Sequence, residues 1–582
     1  MDTQQHISRP TGCKPALAGT AALVCYVFYS VGFLLSSPLN FTHTLIAKSD
    51  DSLQWLWFFN WFPYAVEHGI NPLFCPVVWT PAGLNLTWTT CTPVLAILCW
   101  PITAFWGPFA SYNLVILMAP ALAAWAAYLL CREMTGRFFP SLVGGFVFGF
   151  SPYELGQLGG HLNLVVIWPV PLLVWLLLRW YRNGLKDLPL VVAMTGLLLF
   201  LFGTSVEIFT TTVVFGGLVV LIAFLVYRDA LSRIKLLRMT GLLTLTLVLV
   251  SIMAWPYLRL MLYGPDRPNG AIYPTIAYSV ALANVLIPTR RLWIDGGLSA
   301  LLVGPFPGNI MEQGAYVGLP LVTMWLLFGR AFWKTGIGKL LICSAGILFI
   351  LSLGPWLIIA RHPSSVPLPW LLFNNIPLMK DALPARLSLY VALASGAMAA
   401  VWLADAKAHW RFKLVLATAC ILFLLPNVNR TRLWRIKPQI PAFFRTGLFK
   451  RYLRPRECVL LLPLLSRENL FWQAECKFYF RIGGGYLGLP PPAMLSNPVV
   501  RASLYGSAAA NYPFELGKFI RRGQFGAVII PAADEQDAQA LRMAGYLPHG
   551  TIGGVKLYLI QNPAQEIFAH AAATPGPHKT NR

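Results

Sequence analysis

The side chains of this chain that could do chemistry are few, and they stand at the ends of long apolar segments rather than inside them. They are the adjacent Asp50 and Asp51, then Glu154, His161 and Asn163, Glu207, Arg259, Glu312 and Arg386. Carboxylates and imidazole are the usual groups of general acid–base chemistry, and ionisable side chains at membrane depth are costly enough to be functional candidates by default. Their gathering at segment ends, with the segment centres almost free of charge, points to an active site at a membrane surface rather than a path through the membrane. Taken singly, each has a plainer reading. Glu154, His161 and Glu207 also suit helix ends, where they bond backbone or water, and Glu312 can pair with an arginine of its own loop. Ten cysteines without C-x-x-C or C…H spacing give no support for a zinc or redox site. A Cys75 to Cys91 or a Cys458 to Cys476 bridge is open to the chain in an oxidising compartment, and neither is demanded.

The elements that must position these groups are membrane spans. At 582 residues, with 57% hydrophobic and 12% charged residues, the chain is far from soluble domains, where about a quarter of residues are charged. It reads as an α-helical polytopic membrane protein. A crossing needs roughly 20 mainly apolar residues. Spans fall near 16–36, 109–131, 138–152, 164–181, 188–204, 208–227, 239–258, 316–333, 340–358, 386–404 and 412–427, the third being short. That makes about eleven transmembrane helices within a domain covering 16–427. Every second turn is basic, carrying Arg132 and Arg137; Arg179, Arg182 and Lys186; Arg228, Arg233, Lys235 and Arg238; Arg330, Lys334 and Lys339; Lys407, Arg411 and Lys413. The positive-inside rule puts these turns in the cytoplasm, together with residues 1–15, and an odd number of spans leaves the C-terminus outside. The first span has no clear A-x-A site and is expected to stay as an uncleaved anchor. Much of the net charge of +23 sits in these turns, where it orients the chain against anionic lipid, so no nucleic-acid partner is expected.

The first external loop, 37–108, is too long for a connector. Its run Trp55, Trp57, Phe58, Phe59, Trp61, Phe62 suggests a helix lying in the membrane interface, since Trp favours headgroup depth. The apolar stretch 92–106 reads as a second interfacial helix. Beyond residue 427 the composition becomes that of a soluble domain. Strands are expected at 457–462, 477–482, 525–530 and 555–560 and helices near 514–522 and 535–545, giving a small external α/β domain over 428–562. Gly483-Gly484-Gly485 lacks the Lys-Ser/Thr ending of a phosphate loop and reads as a tight turn. The basic stretch Arg430 to Arg456 breaks the charge rule on the external face, either through attraction to anionic headgroups or to grip a lipid phosphate. Residues 563–582 read as disordered.

Several of these features together resemble the GT-C superfamily of integral membrane glycosyltransferases, over roughly residues 16–430. They are an acid soon after the first span, interfacial helices, a basic turn after the second span and Ser-Pro with polar residues after the third. The segments Asp51-Ser-Leu-Gln-Trp, Phe150-Ser-Pro-Tyr, Gly160-His-Leu-Asn and Pro384-Ala-Arg, with Trp472-Gln-Ala and Phe480-Arg-Ile-Gly-Gly-Gly-Tyr in the tail, are similar to those of a bacterial branch of it. The resemblance implies an enzyme that transfers a sugar from a polyprenyl-phosphate carrier to an envelope glycan, lipid or protein on the external face, with inversion. It gives Asp51, with Asp50 as neighbour, the role of the acid that takes the acceptor's proton. It gives Arg386, with Arg259 or the basic stretch as substitutes, the leaving phosphate. Glu154, His161 and Asn163 would line the second loop, with Glu207 and Glu312 as further substrate-binding residues. Adjacent Asp50 and Asp51 point to different sides, and Asp51 is preferred because it directly precedes Ser-Leu-Gln-Trp. The second loop has no Asp, which weakens the case for a two-carboxylate metal site, and no H-E-x-x-H or similar ligand set occurs, so a divalent metal stays open.

Two other classes remain in view: a lipid-linked-sugar transporter, which would show repeated halves and polar midplane residues, and a non-catalytic assembly protein. The inner turns are too short for a nucleotide pocket. A bacterial inner membrane fits the composition, with the active face toward the periplasm or cell exterior.

Overall fold

The computed structural model describes residues 15–35, 39–268, 270–302, 306–376, 378–431, 434–506 and 511–560. The expected tail 563–582 and nearly all of the expected cytoplasmic segment 1–15 lie outside the described residues. The chain forms two compact units, one drawn from Met1–Ser52, Thr92–Leu258 and Gly270–Lys437, the other from Leu53–Cys91, Arg259–Asn269 and Pro438–Arg582. The second unit is therefore wider than the segment 428–562 read from composition, because two stretches of loop fold with it.

The first unit is a helical bundle. Each apolar segment read from the sequence is helical: α1 (Pro15–Leu34), α2 (Trp100–Thr135), α3 (Phe138–Gly149), α4 (Pro169–Tyr181), α5 (Asp187–Phe202), α6 (Val206–Val226), α7 (Ala230–Met253), α8 (Leu319–Phe332), α9 (Gly336–Ser352), α10 (Ser388–Asp405) and α11 (Trp410–Leu424). Six stretches are long and apolar enough to cross a membrane: α1, α2, Leu162–Tyr181, α6, α7 and Pro384–Asp405. By length and composition the described residues thus give six candidate crossings, and the expected count of eleven is not reached on that criterion. Helices α5, α8 and α9 are shorter apolar helices, and the 12 residues of α3 rise only about 18 Å against a hydrocarbon core of roughly 30 Å.

Small residues bring the backbones of this bundle together. A Cβ at Gly144 of α3 would lie 2.6 Å from the Gly396 carbonyl oxygen of α10, and one at Gly145 would lie 2.5 Å from the Ala124 carbonyl of α2. Close backbone approach through Gly and Ala is how helices associate where lipid removes the hydrophobic drive. The stretch 92–106 is a short helix, Pro93–Leu98, followed by the first turns of α2. Gly107, at φ 83° and ψ 167°, breaks α2 there in a conformation that only glycine adopts easily.

The second unit contains a five-stranded sheet: β1 (Cys458–Leu461), β2 (Arg481–Ile482), β3 (Ala527–Pro531), β4 (Gly550–Ile552) and β5 (Val555–Leu559), in the order β2-β1-β3-β5-β4. The β1 strand pairs parallel with β2 and β3, while β5 runs antiparallel to β3 and β4. Every residue of β1 is buried, as its unbroken apolar run suggests. The short β4 carries no such run and was not legible. Gly485, at φ 108°, makes the expected turn, its N–H donating to Leu464 O at 3.0 Å.

The aromatic run is buried in the protein rather than open to headgroups. It forms helix Leu53–Glu67, whose Trp55, Trp57, Phe58, Phe59, Trp61 and Phe62 are all buried. Trp57 stacks on Trp61 at 5.4 Å, both rings meet Phe478 edge-on, and Trp57 Nε1 donates to Gln473 Oε1 at 3.0 Å. Residues of the distant tail thus supply what headgroups would have supplied. Cys75, Cys91, Cys458 and Cys476 are buried, and neither expected bridge forms.

Candidate active site

Asp51 is set by its own turn. Lys48 N–H and Ser49 N–H donate to Gly159 O at 2.9 and 3.0 Å, tying the first loop to the second. Ser49 Oγ donates to Asp51 Oδ2 at 3.1 Å and accepts from Asp51 N–H at 3.2 Å. Asp50–Ser52 form one 3-10 turn, which sends the two acids apart. Asp50 is exposed, while Asp51 Oδ2 sits 3.9 Å from His161 Nε2.

His161 follows the helix Pro152–Gln157, which Ser151 caps by accepting from Glu154 N–H at 3.4 Å. Its Nδ1 lies 2.5 Å from Gln157 Oε1. Gln157 Nε2 donates to Met311 O and Glu312 Oε2, both at 3.1 Å. Both partners only accept, which fixes the amide orientation, so Oε1 faces the imidazole and Nδ1 must carry the proton. Burial lowers the His161 pKa, with Glu312 opposing, Arg386 assisting, Asp51 opposing and Arg291 assisting. The neutral ring therefore presents its Nε2 lone pair toward Asp51 Oδ2. Two acceptors 3.9 Å apart leave a place where one O–H group at about 2.8 Å can give its proton to either.

Behind this pair stands a buried ion network. Arg386 enters from the turn Pro384–Leu387. It donates from Nε to both Glu312 oxygens at 3.2 and 3.1 Å, from Nη2 to Glu312 Oε1 at 2.6 Å, and from Nη1 to Glu207 Oε2. Glu207 Oε1 also accepts from Leu383 N–H at 3.0 Å. Burial pushes the Glu312 carboxyl up, but the charge and hydrogen bonds of Arg386 more than offset this and hold it below the usual range. Arg386 is thus held by two carboxylates, and it braces Glu312, which braces Gln157, which sets His161.

The free cations gather elsewhere. Arg291 Nη1 donates to Leu155 O and Gly156 O, both at 2.8 Å, and its guanidinium lies 5.4 Å from the Trp434 ring centre. Its Nε and Nη2 are buried without a partner among the described residues. Burial lowers its pKa to about 10. Lys48, three residues before Asp51, has its pKa lowered by burial and then by Arg291, Arg430 and Arg290. Four cations crowded against one another, with donors unspent, suit an anion.

The remaining expected residues fall outside this group. Glu154 is fully buried with neither carboxyl oxygen hydrogen-bonded among the described residues. Burial pushes its carboxyl well up. Asn163 is half-buried beyond His161 and does not join the hydrogen-bonded group. Arg259 is exposed and belongs to the second unit. Among the described residues no three His, Cys, Asp or Glu side chains are placed to hold a metal. Sequence reasoning missed Gln157, Lys48 and Arg291. Only the i, i+4 spacing of Gln157 and His161 gave a signal.

No curated protein matches the chain in sequence. The family described as "Domain of unknown function (DUF6311)" matches residues 18–428. Among solved structures, the arabinofuranosyltransferase AftD from Mycobacteria is similar over 94% of this chain and 40% of its own, with TM-score 0.56 and 13% identity. This chain therefore spans well under half of that protein. The archaeal oligosaccharyltransferase AglB from Archaeoglobus fulgidus, solved with an inhibitory peptide and a dolichol-phosphate, is similar over 93% of this chain and 74% of its own, with TM-score 0.52 and 10% identity. At such identities the likeness is one of fold. With most of its length matched by one family and nearly all of it by one architecture, the chain belongs to the DUF6311 family and shares the fold of the AftD and AglB structures.

Proposed function

We propose that this chain is a glycosyltransferase that moves a sugar from a polyprenyl-phosphate carrier to a hydroxyl of an envelope glycan, lipid or protein, with inversion at the anomeric carbon. The observation that carries this reading is the facing pair Asp51 Oδ2 and His161 Nε2, next to the cations Lys48, Arg290, Arg291 and Arg430. An acceptor hydroxyl seated between the pair gives its proton to Asp51 as its oxygen bonds to the anomeric carbon. The bond from that carbon to the carrier phosphate breaks on the opposite side, and its electron pair leaves with the phosphate. Proton removal of this kind contributes roughly 10² to 10⁴ in rate. The cations stabilise the charge developing on the phosphate, and the unspent donors of Arg291 suit its oxygens. The dolichol-phosphate in the AglB structure supports a lipid-phosphate carrier.

In this reading the basic turns lie in the cytoplasm of a bacterial inner membrane, the eleven helices α1–α11 all cross or enter it, and Asp51 faces the exterior with the C-terminal residues. The test is a panel of radiolabelled polyprenyl-phosphate sugars offered to the purified full chain in lipid. Transfer or donor hydrolysis with one sugar, giving a product of inverted configuration by NMR, is expected. Silence across the whole panel contradicts the proposal.

A further inference from the structure

A large cavity of the first unit has no part in the proposed transfer, since none of the groups around Asp51 lines it. It encloses about 2020 Å³ among α2 and α4–α10, well above the roughly 300–1,000 Å³ of a small-molecule site. Its inner end is closed by Thr212, Phe215 and Tyr390, with Tyr390 Oη 2.9 Å from Thr212 Oγ1. Its outer end is lined by Arg137, Arg182, Arg330 and Lys407, all exposed and each from a different basic turn. Arg182 is shared with Glu133, and Asp405 stands at the same rim, which leaves an excess of positive charge at the mouth. Between the ends the wall is mostly apolar, with Thr240, Thr244 and Ser344 among its polar side chains. At Gly216 and Gly217 of α6 an added Cβ would meet nothing within 4 Å.

Length and charge together identify an occupant. Along α6 the lining runs from Thr212 to Tyr227, about 22 Å at roughly 1.5 Å per residue. That is about half the 40–45 Å of a bilayer with its headgroups, the depth of one leaflet. A phosphate at headgroup level would meet Arg137, Arg330 and Lys407 while two acyl chains filled the apolar part. We propose that this cavity holds one anionic glycerophospholipid from the leaflet on the side of the basic turns, as a bound component of the bundle. The proposal does not depend on the transfer reaction.

The test is native mass spectrometry of the full chain, released from micelles doped with phosphatidylglycerol or phosphatidylethanolamine of identical acyl chains. The expected result is one retained phosphatidylglycerol, preferred at least about tenfold over the zwitterionic lipid, as three cations near the headgroup imply. The variant Arg137→Ala/Arg330→Ala/Lys407→Ala should lose that preference, and Gly216→Trp, which fills the cavity, should lower retention of both lipids. The headgroup preference of the unmodified chain decides the matter even if a variant fails to fold. Equal retention of the two lipids overturns the proposal, as does a polyprenyl phosphate or a peptide found in the lipid's place.

Discussion

His161 shows how much one amide can decide. Because Gln157 fixes the proton on Nδ1, the catalytically useful lone pair is on Nε2, and burial keeps the ring neutral down to a pH below the ordinary imidazole value of about 6.5. Activity should therefore be flat through neutrality and fall on an acid limb below that value. In His161→Gln this limb should disappear and the rate drop. A pH–rate profile of both proteins checks this, and a wild-type limb at or above the ordinary value would contradict it. Glu154 titrates with the opposite sign. Its folded pKa is raised, so the stability it contributes is complete below the unfolded carboxylate value of about 4.3 and is lost as pH rises through the folded value. Glu154→Gln keeps the shape and cannot ionise, so its melting temperature should fall less than that of wild type as pH is raised. Asp51, His161 and Glu312 were legible because acids and imidazoles at segment ends are scarce here. Arg291 was not, being one of 45 lysines and arginines, and nothing in the sequence shows that Glu207 and Glu312 have already taken Arg386.

Elements hold these side chains by contacts that leave little room for change. Arg386 links the start of α6, through Glu207, to the loop carrying Glu312 and to the start of α10. Removing one partner of such a buried pair typically costs about 3–5 kcal/mol. Arg386→Ala should destabilise the fold by that order, and Glu207→Gln with Glu312→Gln in the same chain should restore part of it. A thermal-melt cycle in detergent measures both, and no recovery in the triple variant would show that the carboxylates are not the source of the cost. Where α3 meets α10, Gly144→Val drives a side chain into the Gly396 carbonyl. It should cost at least the roughly 1–3 kcal/mol of an overpacked site, while Gly346→Ala, into open space on α9, should change the melting temperature little. Hydropathy made the helices of the bundle legible, since a long apolar run has few other readings. It could not give their lengths, and it could not distinguish aromatics at a membrane surface from those buried against Phe478 and Gln473, some four hundred residues away.

At the scale of the molecule, long loops between helices do more than connect. Residues 53–91 and 259–269 fold with the tail rather than with the bundle. Asn85 Nδ2 donates to Leu260 O and Pro265 O at 3.1 and 2.8 Å, Asn85 N–H donates to Asp266 Oδ2 at 3.0 Å, and Gln473 Nε2 donates to Val77 O at 2.8 Å. The site residues, by contrast, come from six separate segments and all belong to the first unit. The account rests on Asp51 taking a proton while a lipid phosphate leaves. The most direct measurement is transfer of radiolabelled sugar by the purified chain in lipid, wild type against Asp51→Asn, with thermal melts to show that both are folded. The account predicts turnover in wild type and a loss of roughly 10² to 10⁴ in the variant. Equal turnover in the two folded proteins would contradict it.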